Sequence, residues 1–276
     1  MKIVKKEELL YIERRIRMEI GEISYGYLDP KWSFRHLRAA FTRVYFPLEG
    51  TGVLSFGDRT IELIPGNIYV VPAGLDFSCA CPARLDKIYV HLTLTHPDGC
   101  DVFSGIESCL ILKNCADITQ KFDALCQKRD VRSVLKLKLL LYDILCRALS
   151  LTAPTDSEIK VYSECTKAAL AYIDKHLRAG LHIQEIADAL FVSKQGLQKA
   201  FKADLDKPLG GYIDGCLMAR AELLLLDRAL SVKDVGDRLG FCDQFYFSRK
   251  FSQTHGISPR QFRRIHQVFA DETIVC

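Results

Sequence analysis

The sequence has no apolar run approaching the roughly 20 residues that a membrane-spanning helix requires. Runs such as the leucines at positions 139–141 and 223–226 are far shorter. Residues 1–8 lack the apolar core of a secretory signal peptide. These absences predict a protein without a membrane span and with a cytoplasmic location.

The sequence also lacks the short motifs of several enzyme classes. It contains no G-x-x-x-x-G-K-[ST], G-x-G-x-x-G or G-x-S-x-G segment, so nothing indicates nucleotide binding or a nucleophile elbow. No C-x-x-C pair occurs among the 11 cysteines, and the nearest approach is the pair Cys79 and Cys81. We therefore predict no catalytic residues, no metal site and no cofactor, with a redox role for Cys79 and Cys81 left open.

The overall composition is typical of a folded protein with two domains. Hydrophobic residues make up 49% and charged residues 26% of the 276 positions, close to the average for globular proteins. The length exceeds what one small core usually serves. The net charge is +4, and residues 157–268 hold 17 Lys and Arg against 13 Asp and Glu. A positive C-terminal part is compatible with nucleic-acid binding.

Residues 22–95 alternate between short apolar runs and turn signals such as Gly57-Asp58 and Pro65-Gly66. The runs at 44–46, 60–64, 68–71 and 88–94 are rich in β-branched and aromatic residues and have the usual length of strands. This pattern predicts a small all-β barrel or sandwich, to which we assign residues 1–114.

Two longer helices are predicted after Asn114, at about 117–128 and 132–151. Apolar residues recur at spacings of three and four along the second helix: Val134, Leu137, Leu141, Ile144, Ala148 and Leu151. Such a heptad stripe can pair two copies of the chain, or it can pack on the chain's own β-domain, and the pattern favours neither. We assign residues 115–151 to a helical dimerisation or linker region and residues 152–159 to a linker.

An internal repeat at an offset of 49 to 50 residues is the most informative feature of the chain. Two short helices share apolar positions at i, i+3, i+4 and i+7. These positions are Ile183, Ile186, Ala187 and Leu190 in the first helix, and Val232, Val235, Gly236 and Leu239 in the second. A tight turn and a further helix follow each, predicted at Ser193 to Leu205 and at Asp243 to His255, with Ser193 and Asp243 as N-caps.

Helix, tight turn and helix is the plan of the helix-turn-helix motif, whose second helix enters the major groove of DNA. The outer faces of the two second helices carry side chains suited to base edges and phosphates. These are Gln195, Gln198, Lys199 and Lys202 in one helix, and Gln244, Phe245, Ser248 and Arg249 in the other, with Lys250, Arg263 and Arg264 expected at phosphates. One polar stripe alone is more often a solvated helix face, but two stripes in register favour DNA binding. A helix over residues 208–227 is predicted to join the units and to hold the recognition helices about one DNA turn, roughly 34 Å, apart.

The segment Gly240 to Phe251, followed by Gly256 to Arg263, resembles the signature of the AraC/XylS family of transcription regulators, and the similarity covers about residues 161–264. It implies a DNA-binding domain at residues 160–268 and promoter or operator DNA as a partner. The predicted DNA-binding residues are Ser193, Lys194, Gln195, Gln198, Lys199, Lys202, Gln244, Phe245, Tyr246, Arg249 and Lys250. Three positions depart from the family pattern. Asp206 replaces a common glycine, Leu217 replaces a usual arginine of the linking helix, and Phe245 replaces a more common small or polar residue.

Residues 46–56 and 61–74 resemble the cupin-type sensor domain of the same family. The implied fold class is α+β, with an N-terminal cupin-like antiparallel β-barrel, a helical linker and an all-α C-terminal domain of two helix-turn-helix units. The resemblance also implies a small-molecule effector such as a sugar, a homodimer and contact with RNA polymerase. For the effector pocket we single out Trp32, Arg43, Tyr45 and His91, which suit a stacked, hydrogen-bonded ligand and equally suit ordinary structural roles.

A cupin-like barrel also permits a second hypothesis, a metal-dependent isomerase or oxygenase fused to a DNA-binding module. Such an enzyme needs two closely spaced histidines, a carboxylate and a later histidine. No histidine lies between Gly50 and Gly74, and the N-terminal half holds only His36, His91 and His96. A repair methyltransferase would need a clustered cysteine zinc site, which is not present in the sequence. These observations favour a regulator over an enzyme.

Overall fold

The computed structural model describes residues 16–96, 99–152 and 162–267. Its residues group into two compact units, one formed mainly by residues 19–93 and 103–152 and the other mainly by residues 162–266. The first unit contains the β-sheets and two helices, and the second unit is helical. The predicted α+β class with an all-α C-terminal part is confirmed.

The described part of the first unit contains nine strands. They are β1 (Arg17–Leu28), β2 (Ser33–Leu37), β3 (Thr42–Gly50), β4 (Gly52–Phe56), β5 (Arg59–Leu63), β6 (Ile68–Val71), β7 (Phe77–Ala80), β8 (Leu85–Thr95) and β9 (Leu110–Leu112). They form two sheets with the strand orders β1-β8-β3-β6-β9 and β2-β7-β4-β5. The Arg43 guanidinium of the first sheet lies 5.1 Å from the ring centre of Phe77 in the second, so the sheets face each other. The predicted cupin-like region thus takes the form of two facing antiparallel sheets.

Strand β8 shows how this unit separates a polar interior from an apolar outer layer. Successive side chains of a strand point to opposite faces, so Lys87, Tyr89 and His91 share one face. In the antiparallel pairing with β3, Arg43 lies opposite His91 and Tyr45 lies opposite Tyr89. Because opposite residues share a face, these five side chains line the side that faces the second sheet. This interior is the candidate ligand site of the first unit.

The other face of the first sheet is covered by helices α1 (Ala116–Cys126) and α2 (Val131–Leu149). The ring of Phe46 in β3 stacks on that of Phe122 in α1, with 4.4 Å between their centres. Helix α2 begins at Asp130, whose carboxylate accepts a hydrogen bond from the Ser133 amide at 3.0 Å, which satisfies a donor that the first turn leaves open. Helix α2 packs against α1 and β9.

The predicted heptad stripe of α2 lies mostly inside this unit. Leu137, Leu141, Ile144 and Ala148 are all buried, three of them completely, whereas Val134 and Leu151 remain about half exposed. Of the two interpretations left open by the sequence, packing within the chain is the correct one for the middle of the stripe. A neighbouring face of the same helix is apolar and exposed, and it consists of Val131, Leu135, Leu139 and Tyr142.

The second unit contains seven described helices. They are α3 (Glu164–His176), α4 (Ile183–Ala189), α5 (Lys194–Leu205), α6 (Leu209–Leu226), α7 (Val232–Arg238), α8 (Gln244–His255) and α9 (Pro259–Gln267). The pairs α4–α5 and α7–α8 are the two helix-turn-helix units, and α6 is the predicted joining helix. In the first helix-turn-helix unit, Ile186 of α4 and Leu197 and Phe201 of α5 form one core. Leu209 and Ile213 at the start of α6 belong to the same core.

Two of the three departures from the family pattern, Asp206 and Leu217, have a clear structural outcome. Asp206 ends α5 in the left-handed conformation, with φ of 54°, as Gly256 ends α8 with φ of 72°. Asp is one of the few residues other than glycine that adopt this conformation readily. Leu217 is 3% exposed, so α6 uses this position for packing.

Candidate functional site

The two candidate recognition helices, α5 and α8, begin at matching N-caps. The Ser193 hydroxyl accepts a hydrogen bond from the Gly196 amide at 3.1 Å, and the Asp243 carboxylate accepts one from the Tyr246 amide at 2.7 Å. Each cap satisfies a backbone donor that the first helical turn leaves open, and so fixes where the helix starts. The predicted starts of both helices are confirmed.

Burial separates the two faces of these helices as the repeat predicted. Leu197 and Phe201 in α5, and Phe247 and Phe251 in α8, are completely buried. The outer face of α5 is exposed at Lys194, Gln195, Gln198, Lys199 and Lys202. In α8, Phe245, Tyr246 and Arg249 are exposed, whereas Gln244, Ser248 and Lys250 are partly covered. Each helix therefore presents a polar or aromatic surface on a rigid base.

Two basic residues near α8 make contacts within the protein. The Lys250 ammonium lies 2.8 Å from the carboxylate of Asp214 in α6. An ion pair this exposed contributes little to stability, so Lys250 can exchange Asp214 for a phosphate at little cost. Arg263 Nε donates to the carbonyl of Leu225 at 3.0 Å, where α6 ends. Arg263 thus caps a helix C-terminus, which differs from the phosphate contact expected from the sequence.

The four residues singled out for an effector pocket are all buried in the interior of the first unit. Trp32, Arg43, Tyr45 and His91 are between 1% and 4% exposed. Lys87, which the sequence reasoning missed, connects them, because its ammonium lies 4.3 Å from the ring centre of Trp32 and 3.6 Å from that of Tyr45. The Arg43 guanidinium lies 4.7 Å from the ring centre of Phe41, which in turn lies 4.9 Å from the His91 ring. The structure thus brings the predicted residues together around aromatic faces.

The charges of this interior depend strongly on burial. Burial lowers the pKa of Lys87 to about 7, with a further decrease from Arg43. Burial, Arg43 and Lys87 together lower the pKa of His91 well below its usual value, so His91 is neutral at neutral pH. His91 Nδ1 lies 3.2 Å from a carboxylate oxygen of Glu22, whose other oxygen accepts a hydrogen bond from the Tyr89 hydroxyl at 2.8 Å. The described interior therefore combines two basic side chains with one carboxylate.

Neither a metal site nor a disulfide is found in the part of the chain that the structure describes. No three His, Cys, Asp or Glu side chains come together there in a way that could hold a metal ion. Cys79 and Cys81 are both buried as free thiols, and burial raises the pKa of Cys79 to about 11. A thiol with a raised pKa is a poor nucleophile, which disfavours the redox role left open for this pair. No helix in the described ranges is long and apolar enough to cross a membrane.

Comparison with known proteins places the repeat in a family. Residues 186–265 match a family model described as a helix-turn-helix domain. A Streptococcus mutans protein, the Msm operon regulatory protein, is 24% identical over 234 residues, which make up 80% of this chain and 83% of that protein. The arabinose operon regulatory protein of Salmonella typhimurium is 31% identical over 115 residues, 41% of this chain and 38% of that protein.

The helix-turn-helix part of this chain is therefore similar to that of AraC/XylS-family transcription regulators.

The chain spans very different shares of the relatives that it matches. It covers 83% of the Streptococcus mutans protein but only 25% of the xylose operon regulatory protein of Escherichia coli. Among solved structures, ToxT from Vibrio cholerae matches with a TM-score of 0.52 at 12% identity, over 88% of this chain and 98% of that one. At this identity the likeness concerns the fold, which it extends to both units.

The residues that sequence reasoning missed lie in the first unit, among the β-strands. Lys87 and Tyr89 precede His91 at a spacing of two, so strand alternation puts all three on one face, and this signal could have identified them. Glu22 carried no such signal, because it comes from a distant strand, β1, whose place next to β8 only the sheet order reveals.

Proposed function

We propose that this chain is a transcription regulator of the AraC/XylS family. It binds double-stranded DNA by placing α5 and α8 in two successive major grooves, under the control of a small-molecule effector held inside the first unit. The observation that carries the DNA-binding part is the paired arrangement of two capped helices, each with a buried apolar face and an exposed outer face. A solvated surface helix has no need of a second copy in the same register.

The side chains of the two helices have distinct roles in this proposal. Gln195 and Gln198 read adenine edges, and Arg249 reads a guanine, because their bidentate geometry suits those bases. Lys199 reaches the acceptor atoms of a guanine. Lys194 and Lys202 supply positive charge on α5, and Lys250 reaches a phosphate after leaving Asp214. Ser193, Gln244, Phe245 and Tyr246 complete the interface at the start of each helix.

The effector is proposed to bind between the two sheets of the first unit, at Trp32, Arg43, Tyr45 and His91 together with Lys87. Aromatic faces suit the ring of a sugar or a related metabolite. Two buried basic side chains, Arg43 and Lys87, favour an effector that also carries a carboxylate or phosphate group. Relatives named as regulators of arabinose and xylose operons agree with a carbohydrate-derived ligand.

A homodimer is proposed to form through the exposed apolar face of α2, at Val131, Leu135, Leu139 and Tyr142. Four neighbouring apolar side chains in water favour association with a second copy. Four of the residues that the sequence had suggested for pairing are needed for the core: Leu137, Leu141, Ile144 and Ala148. We keep residues 1–114, 115–151, 152–159 and 160–268 as the proposed sensor, dimerisation, linker and DNA-binding parts.

We further propose a cytoplasmic regulator without enzymatic activity, which contacts RNA polymerase when it activates transcription. A relative from Bacillus subtilis, 25% identical over 74% of this chain, is named as a transcriptional activator. The enzyme alternative has no support from the described residues, where the interior of the first unit contains basic and aromatic side chains instead of a set of metal ligands.

The decisive experiment is a titration of the purified full chain against the DNA upstream of its own gene, at fixed salt with excess random competitor. A saturable complex that resists competitor establishes specific binding; binding that vanishes as salt rises contradicts it. In a parallel arm, neutral sugars, sugar acids and sugar phosphates are tested for their effect on complex formation and on the midpoint of thermal unfolding. Stabilisation by a charged sugar over its neutral parent supports the proposed pocket.

A further inference from the structure

Phe191 and Gly240 occupy equivalent positions in the turns of the two helix-turn-helix units. The Phe191 amide donates to the carbonyl of Asp188 at 3.2 Å, and the Gly240 amide donates to that of Asp237 at 3.0 Å. The next amide of each turn also bonds back to the first helix, from Val192 to Ala187 and from Phe241 to Gly236, each at 3.0 Å. The two turns therefore share one backbone geometry at this point.

This geometry requires a left-handed residue, and the two units meet the requirement differently. The φ angle is 76° at Gly240 and 55° at Phe191. Glycine adopts such angles without steric cost, whereas a residue with a bulky side chain is strained there. Phe191 obtains no compensation from packing in this chain, because its side chain is 96% exposed. Folding alone would favour glycine at both positions, so the phenylalanine indicates an interaction outside the chain.

The two turns also differ in how closely other parts of the chain pack against them. A Cβ atom at Gly240 would lie 3.2 Å from Cβ of Arg178, and the Ala179 amide donates to the carbonyl of Leu239 at 2.7 Å. The second turn is thus packed against the loop before α4. The first turn presents Phe191 to water and also exposes 37% of Val192. At this position the first turn therefore exposes a large apolar side chain, whereas the second turn exposes only a glycine.

The position of Phe191 in the chain identifies the class of partner. It stands two residues before Ser193, the N-cap of α5, and three residues before Lys194. The N-terminal residues of a recognition helix are those that approach base edges. Lys194, Lys199 and Lys202 make the exposed surface of α5 basic, which favours nucleic acid over an apolar protein surface.

We propose that Phe191 contacts DNA, with its ring packed against the methyl group of a thymine at the edge of the major groove that α5 occupies. Apolar contact with the thymine methyl is a recognised means of distinguishing thymine from other bases. The contact makes Phe191 a specificity-determining residue of the first helix-turn-helix unit. It rests on the proposed function, because it takes α5 as a recognition helix.

The test compares Phe191→Gly and Phe191→Asn with the unmodified full chain, since both substitutions tolerate the left-handed conformation and remove the ring. The probe is a duplex oligonucleotide that the unmodified chain selects from a random pool. We expect both variants to bind it roughly five- to tenfold more weakly, with an unchanged dependence of log affinity on log salt, because the lost contact is uncharged. Unchanged affinity in both variants overturns the proposal. Weaker binding together with a smaller salt slope also overturns it, because the lost contact would then be one with a phosphate.

A second arm locates the partner group on the DNA. Each thymine of the probe is replaced in turn by deoxyuridine, which lacks only the methyl group. At one position the unmodified chain loses affinity and the Phe191→Gly variant does not, so that the two changes are not additive. Additive effects at every thymine exclude the methyl contact. Loss of transcription activation with intact DNA binding would make Phe191 a protein contact and also overturn the proposal.

These outcomes are distinct from failure of the proposed function. If the unmodified chain selects no sequence and binds DNA only non-specifically, the role of α5 itself is refuted before any variant is compared. If the unmodified chain binds specifically and Phe191→Gly binds equally well, the proposed function stands and the inference about Phe191 fails.

Discussion

The ammonium group of Lys87 lies 3.6 Å from the centre of the Tyr45 ring, inside a sheet-lined interior that also contains Arg43. Contact with aromatic faces stabilises the charged amine. Burial has the opposite effect and dominates, which is why the pKa of Lys87 falls to about 7. The unfolded chain, in contrast, exposes this lysine to water, where its pKa is 10.5.

Lys87 is therefore expected to make the stability of the first unit depend on pH. Between about pH 7 and pH 10.5 the unfolded chain binds more protons at this residue than the folded chain does. The free energy of unfolding should rise with pH across that window, and level off below it because both states are then protonated. Urea unfolding followed at several pH values measures this slope. The Lys87→Met variant should show a smaller slope, and an identical slope in variant and parent would show that Lys87 keeps an ordinary pKa.

Effector binding should depend on the same group with the opposite sign. An effector with an acidic group binds more tightly while Lys87 is protonated, so its dissociation constant should increase as pH rises through about 7. Calorimetric titration of a sugar acid across this range checks the expectation. The neutral parent sugar is the control and should show no such increase. A pH-independent dissociation constant for the acid would mean that Lys87 does not contact it.

The DNA-binding residues are expected to separate into two classes. Lys199→Ala and Arg249→Ala should weaken binding to the selected site more than binding to random DNA, by roughly 1–3 kcal/mol for a base contact. Lys250→Ala should weaken both about equally and reduce the salt slope by about one, because it meets a phosphate. Fluorescence titrations at several salt concentrations distinguish the classes. Equal losses on both DNAs for Lys199→Ala and Arg249→Ala would assign these residues to phosphates.

Two leucines of α2 should behave oppositely when replaced. Leu139 is 70% exposed, so Leu139→Glu should change the free energy of unfolding by less than about 0.5 kcal/mol but should dissociate the proposed dimer. Leu141 is completely buried, so Leu141→Ala should cost roughly 2–5 kcal/mol of stability. Sedimentation and denaturant unfolding measure the two effects. A sedimentation coefficient unchanged by Leu139→Glu would remove this face from the dimer interface.

The equivalent turn positions provide a matched pair for folding stability. Phe191→Gly relieves a left-handed phenylalanine but makes the unfolded chain more flexible, and the balance should raise the unfolding free energy by roughly 0.5–1 kcal/mol. Gly240→Ala should lower it by at least about 1 kcal/mol, since the new Cβ is both left-handed and close to Arg178. Destabilisation by Phe191→Gly would reveal packing of the ring within the chain.

Much of the second unit could be predicted because its information is local. The repeat offset, the apolar spacing and the caps Ser193 and Asp243 all lie within short windows of sequence, and the structure places each as expected. The conformation of Phe191 could not be predicted in this way. Its left-handed φ follows from the turn geometry, which becomes visible only when the hydrogen bonds of both turns are compared.

The first unit shows where sequence information ends. Arg43, Tyr45 and His91 were singled out by residue type, and all three lie in the interior. The neighbours of a strand, however, depend on sheet order, which spacing does not encode. Glu22 therefore escaped notice. The heptad stripe correctly predicted an apolar helix at α2. Whether the stripe packs within the chain or against a second copy depends on which surface of the first unit lies next to the helix, and spacing does not encode that. Leu137 and Leu141 of the predicted stripe are buried. The exposed apolar face of α2 lies beside that stripe.

Helix α6 contributes to both helix-turn-helix cores, with Leu209 and Ile213 near its start and with Glu222 close to His255 of α8 near its end. Inserting one residue into α6 would rotate one recognition helix by about 100° relative to the other and shift it by about 1.5 Å. The length of α6 thus sets the distance and the rotational phase between the two half-sites of an operator. Evolution can retune individual bases through point changes in α5 and α8, whereas a new operator spacing demands a change of whole helical turns.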